Sequence, residues 1–223
     1  MEGKGNMMRW LSPIDLLQAV RFKFGFDRKR SLIKYIRANE PKSILEIGVF
    51  NGIFASKMLK AASINDNKIR YVGVDLFLNL QTTQNYHDEV SLWPDTHEKV
   101  LAKLKFENPN CEIQLCVGDS RQILKSFQHK FDLIFIDGGH SENTVRTDFE
   151  NSVKLLNSQG TIFLDDYTNF LGVKFGKFGI RNFVKSIDRN IFEVKIYKNR
   201  DFFTKPYGIL SSRLVKVKIR KLT

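Results

Sequence analysis

The sequence predicts an α/β chain built on a doubly wound, seven-stranded, mostly parallel sheet preceded by N-terminal helices. Two observations carry this. Short apolar runs recur along the chain, and most are near-continuous rather than alternating, as in strands buried on both faces. Segments with apolar residues at helical spacing lie between them. Strand and helix in alternation put helices on both faces of a parallel sheet, and right-handed crossovers wind it twice.

The elements follow in chain order. Residues 14–24 (IDLLQAVRFKF) and 31–38 (SLIKYIRA) read as amphipathic helices, the first entered through Ser12 as N-cap and Pro13 at the first helical position. They form an N-terminal helical extension, residues 1–42, ahead of a main domain, residues 43–223. Residues 43–49 (SILEIGV) are the first strand and 52–62 a helix. Residues 70–76 (RYVGVDL) are the second strand, and 77–94 a long polar loop. Residues 95–106 are helical, 112–117 are the third strand, and a short helix runs to Phe127. Residues 131–137 (FDLIFID) are the fourth strand and 142–156 a helix. Residues 161–164 are the fifth strand, 179–187 are helical, and 192–197 and 214–219 are two final strands near a sheet edge.

Bulk properties bound the function. With 223 residues and 42% hydrophobic content, the chain can bury one substantial core. No apolar run is long enough to span a bilayer, and the N-terminus lacks the apolar core of a secretory signal. Cys111 and Cys116, five apart on one strand, point to opposite faces and cannot pair. A reducing cytoplasmic setting is therefore expected. Net charge is +12, divided as +6 over residues 1–42, −5 over 43–169 and +11 over 170–223. Basic flanks around an acidic centre suit an anionic partner, whether a phosphorylated or nucleotide-linked substrate, a nucleic acid or a membrane surface; a solvated basic surface reads the same.

In such folds ligands bind beyond the carboxyl ends of the strands, where strand order reverses. Every one of the first five strand ends carries an acid: Glu46 with Gly48 and Gly52, Asp75, Asp119 with Ser120, Asp137 with Gly138, Gly139 and His140, and Asp165 with Asp166. The first turn reads G-x-x-x-G after Glu46, so the G-x-G-x-x-G pyrophosphate fingerprint is missing. Asp75 is placed to accept from ribose hydroxyls and Asp119 to meet an adenine amino group. An adenosine without phosphates and with a positive charge nearby meets these demands, and S-adenosylmethionine is such a molecule.

EIGVFNG, VGVDLF, VGDS, IDGGHSENTVRTDFE and GTIFLDDY, in that order, resemble the class I S-adenosylmethionine-dependent methyltransferases over roughly residues 43–168. The set is most similar to the metal-dependent sugar O-methyltransferase and cephalosporin hydroxylase-like group. The resemblance implies that Glu46, Gly48 and Gly52 line the methionine end of the cofactor, Asp75 holds the ribose, and Asp119 and Ser120 flank the adenine. It implies a divalent cation, usually magnesium, on Asp137, Asp165 and Asp166, with His140 as general base and Asp137 in the catalytic group. The implied reaction is metal-assisted methyl transfer to a hydroxyl of a sugar or similar small polyol. A hard cation with carboxylate ligands suits such oxygens and makes a bound hydroxyl more acidic.

Plainer readings stand beside these. Asp165 and Asp166 also serve as turn residues before Tyr167, and His140 or Ser141 as a helix cap. The 77–98 loop, with His87, Trp93 and His97, is either a cover over the site or a surface excursion. Residues 171–183 are either a mobile substrate loop or the start of the next helix. The basic C-terminal run RLVKVKIRK reads as an edge strand whose lysines deter aggregation. The N-terminal helices would serve as a lid or as a homo-oligomer interface. Competing functions are an RNA or DNA methyltransferase, which the charge favours and the lack of a [DN]-P-P-[YF] motif disfavours, a nicotinamide-dependent oxidoreductase, and a non-catalytic binding protein of the same fold.

Overall fold

The computed structural model describes residues 27–65, 68–77, 95–172, 179–205 and 208–220. The expected helix at 14–24 and most of the 77–94 loop, with His87 and Trp93, lie outside these residues. Helices in chain order are α1 (Arg30–Asn39), α2 (Ile53–Ala62), α3 (His97–Glu107), α4 (Ser120–Ile123), α5 (Glu142–Lys154) and α6 (Ile180–Ser186); strands are β1 (Ser43–Ile47), β2 (Arg70–Asp75), β3 (Glu112–Val117), β4 (Phe131–Ile136), β5 (Leu156–Gly172), β6 (Phe192–Lys205) and β7 (Gly208–Ile219). They form one seven-stranded sheet in the order β3-β2-β1-β4-β5-β7-β6. β1 through β5 pair in parallel, and β7 runs antiparallel between β5 and β6.

Side-chain alternation along the strands builds two apolar layers. Leu45, Ile47, Ile134, Ile136, Ile162 and Leu164 face α5 and α6, where Val145, Phe149, Phe183 and Val184 cover them. Ile44, Tyr71, Leu133, Phe135 and Phe163 face the other way, onto α1, α2 and α3. Leu32 and Ile36 of α1 are fully buried, so this part of the expected N-terminal extension packs directly on the sheet. Among the described residues no helix is long and apolar enough to cross a membrane.

Two expectations need correction. β5 does not end at Leu164: it continues to Gly172, paired with β7 throughout, with a register shift between Leu164 and Tyr167. Asp165 and Asp166 therefore form a bulge inside the strand, not a turn after it. The C-terminal basic run is not the edge either; β7 is paired on both sides and β6 is the edge. A bulge is set by its partner strand, and β7 lies some fifty residues away along the chain.

Strand order reverses between β1 and β4, which opens the crevice where such folds bind ligands. There the Asp137 amide donates to the Ile47 carbonyl (2.8 Å) and the Gly48 amide to the Val74 carbonyl (2.9 Å), so the strand ends that carry the candidate residues are tied together.

Candidate active site

The turn after β1 folds back through three left-handed residues, Gly48 (φ 90°), Phe50 (φ 55°) and Gly52 (φ 70°). Gly48 lies so close to β4 that a Cβ there would stand 2.3 Å from the Asp137 carbonyl oxygen. Asp75, at the end of β2, holds the turn: its Oδ2 accepts from the amides of Val49 (2.6 Å) and Phe50 (2.7 Å), and its Oδ1 from Phe77 (2.9 Å). Carboxylate oxygens have further lone pairs, so Asp75 keeps acceptor capacity toward a ligand. Glu46 lies beneath the turn, 1% exposed, its carboxyl bonded to the Tyr71 hydroxyl. Burial pushes Glu46 up to about 8; the Tyr71 bond opposes this and the Asp137 charge adds to it.

Asp119 and Ser120 occupy the third strand end, but their side chains are already engaged. Asp119 caps α4, accepting from the Arg121 amide (2.9 Å) and pairing with its guanidinium (2.7 Å), bonds that hold its carboxyl below the usual range. The Ser120 hydroxyl donates to Asp148 of α5 (2.7 Å).

Beyond β4 and β5 the three acids Asp137, Asp165 and Asp166 converge, with one carboxylate oxygen of each within 4.8 Å of the others. Asp166, in the left-handed region at φ 52°, turns its carboxylate to the site. Its Oδ2 meets His140 Nε2 at 3.0 Å, and its Oδ1 accepts from Ser212 (2.9 Å). His140 immediately precedes Ser141, which is the cap of α5 and accepts from the Thr144 amide. His140 is therefore left to the crevice rather than to the helix. Ile136, Leu164, Val145 and Ile180 line a narrow cleft beside these groups.

Two cations that the sequence did not single out sit among the acids. Arg28 lies fork to fork on Asp165 (2.6 and 2.9 Å) and reaches Asp166 (3.1 Å) and Asp201 of β6 (2.8 Å). Lys29 Nζ lies 2.5 Å from Asp137 Oδ2 and 3.1 Å from Asp165 Oδ2, against the rings of Phe54 and Phe135. Burial works against the charge on Lys29, but Asp137 and Asp165 outweigh it and keep the ammonium protonated. Burial likewise raises Asp165 and Asp166, yet Arg28 holds both below the ordinary carboxylate range. Asp137 goes the other way: burial carries it to about 7, with Lys29 only partly compensating.

The three carboxylates are the hard oxygen donors a magnesium ion takes. Their arrangement nevertheless does not fit one. The gap between two of them is already taken by a cation of the chain, since Lys29 Nζ lies 2.5 Å from Asp137 Oδ2 and 3.1 Å from Asp165 Oδ2. The cue to Arg28 and Lys29 was the run FDRKR, indistinguishable in sequence from an ordinary basic flank.

A family model described as a methyltransferase domain matches residues 45–167. The O-methyltransferase hkm8 of Aspergillus hancockii is 27% identical over 139 residues, 61% of this chain and 47% of that protein, so the chain spans about half the length of this curated relative. The O-methyltransferase TomG of Streptomyces achromogenes, involved in tomaymycin synthesis and solved with SAM, superposes with a TM-score of 0.58 at 17% identity, over 91% of this chain and 89% of TomG. An rRNA methylase from Streptococcus thermophilus superposes with a TM-score of 0.57 at 10% identity, over 87% of this chain and 97% of the methylase. At such identities the structural likenesses speak for the fold.

Proposed function

The chain belongs to the methyltransferase-domain family, and from that premise we propose that it is an S-adenosylmethionine-dependent O-methyltransferase acting on a hydroxyl of a sugar or similar small polyol. The carrying observation is that the glycine turn held by Asp75 and the His140–Asp166 pair share one crevice, meeting where Gly48 lies against the Asp137 carbonyl. The turn suits the methionine end of the cofactor, with Glu46 supporting it from below, and Asp75 suits the ribose. Asp119 and Ser120 would flank the adenine with backbone, since their side chains bond Arg121 and Asp148.

When bound, the cofactor supplies an electrophilic methyl group on a sulfonium. Asp166, an anion through Arg28, accepts the Nε2 proton of His140, which puts the imidazole lone pair on Nδ1. His140 then takes the acceptor hydroxyl's proton as the oxygen bonds to the methyl carbon. The cofactor, held by the glycine turn and Asp75, would supply the methyl group and be left as S-adenosylhomocysteine, and the imidazolium formed on His140 is stabilised by Asp166. General-base help of this kind contributes ~10²–10⁴-fold, and holding the oxygen in line with the S–C bond lowers the barrier by roughly 7–11 kcal/mol. Asp137 would orient the acceptor hydroxyl.

Calorimetric titration with S-adenosylhomocysteine tests the cofactor, and methyl-labelled S-adenosylmethionine offered with a panel of sugars and polyols tests the acceptor. Saturable binding that weakens in Asp75→Asn is expected; no binding by wild type would sink the proposal. A second reading, an RNA substrate, is favoured by the +12 charge and its basic flanks. It predicts RNA retention that falls steeply with salt.

A further inference from the structure

We propose that Lys29 is the resident cation of this site, standing where a divalent ion would bridge Asp137 and Asp165, so that the acidic cluster works without a metal. The assignment rests on reading this crevice as the methyl-transfer site. Lys29 Nζ lies within 2.5 Å of Asp137 and 3.1 Å of Asp165, with the centroids of Phe54 and Phe135 at 4.7 and 5.3 Å. A magnesium ion holding the same two oxygens needs distances of roughly 2.0–2.1 Å and would lie within contact of Nζ. The two cations exclude each other.

The lysine is fixed from its own side of the chain. Its neighbour Arg28 takes both oxygens of Asp165, and the Asp27 amide donates to Asp201 Oδ1 (2.9 Å), so residues 27–29 are pinned to β5 and β6 before α1 begins. A tethered ammonium differs from a metal in one chemical respect. It offers hydrogen bonds and one positive charge, and it does not acidify a hydroxyl as a divalent ion does. Deprotonation then falls to His140 with Asp166, the pair the structure supplies. Lys29 acts through Asp137 and Asp165, which makes it a positioning residue.

The test uses the full chain with Mn²⁺ as a paramagnetic probe, in wild type, Lys29→Ala, and Lys29→Ala combined with Asp165→Asn. Wild type is expected to leave the free Mn²⁺ signal unchanged. Lys29→Ala should bind Mn²⁺ at least roughly tenfold more tightly, and Asp165→Asn should remove the gain. A merely structural lysine would not produce a new metal site. If Lys29→Ala unfolds, Lys29→Gln replaces it, and wild type still decides: Mn²⁺ binding by wild type that is lost on Asp165→Asn overturns the assignment. In parallel, wild-type affinity for S-adenosylhomocysteine should be the same in magnesium and in EDTA. Absence of that binding would count against the methyltransferase reading, while the Mn²⁺ result separately decides the place of Lys29.

Discussion

Gly48 has no room for a side chain. Its φ of 90° is one that L residues rarely adopt, and a Cβ would meet the Asp137 backbone at 2.3 Å. Gly48→Ala should therefore force β1 and β4 apart, lowering stability by roughly 1–3 kcal/mol or more from backbone strain and abolishing S-adenosylhomocysteine binding in the same titration. Glu46 carries a second prediction. It keeps its proton to about 8 because it is buried, against an ordinary 4.5. The folded form thus holds this proton more tightly than the unfolded chain, so the contribution is full below 4.5 and is lost as pH rises through about 8. Urea unfolding between pH 5 and 8 should show wild type losing about 1.4 kcal/mol per pH unit more than Glu46→Gln; parallel profiles would show that Glu46 titrates normally. These residues were legible in the sequence because each ends an apolar run or sits in a glycine turn. Arg28 and Lys29 were not, because a buried cation is defined by partners 137 and 108 residues away.

At the scale of elements, the first four strands and the helices between them follow from apolar periodicity, and the structure places them within a few residues. β5 is where local reading failed. The stretch DDYTNF is too polar to read as a strand, and only pairing with β7 makes it one. The bulge left at Asp165 and Asp166 sends both acids toward the site, and Asp166 at φ 52° is a conformation that Asp and Asn tolerate better than most residues. Asp166→Asn should therefore keep the bulge and the fold. It removes the anion facing His140, so the rate of labelled methyl transfer should fall by ~10²–10⁴-fold, with S-adenosylhomocysteine affinity unchanged. Equal rates for the two proteins would remove His140 from the chemistry.

For the molecule as a whole, the site is tied together by residues far apart in the chain, Arg28 on one side and Asp165, Asp166 and Asp201 on the other. Arg28 precedes α1, Asp165 and Asp166 lie in the bulge of β5, and Asp201 belongs to the edge strand β6. One guanidinium, 4% exposed, joins the three. No composition or spacing rule foresees this, since the N-terminal basic residues looked like one more solvated flank. Removing one partner of a buried ion pair, here Arg28 from Asp165, typically costs about 3–5 kcal/mol, which for a chain of this size lowers Tm by roughly 6–20 °C. Arg28→Ala should show that loss in thermal unfolding at neutral pH. Arg28→Lys should recover only part of it, because an ammonium is a point charge and lacks the planar fork that meets Asp165 through two bonds while reaching Asp166 and Asp201. Lowering the pH should shrink the difference between wild type and Arg28→Ala: Asp165 and Asp166 are held ionised by Arg28, so its contribution is present above their ordinary range and fades as they protonate. A difference that stays constant down to acid pH would mean that Arg28 stabilises by packing, over the Phe203 ring for instance, rather than by joining the acids.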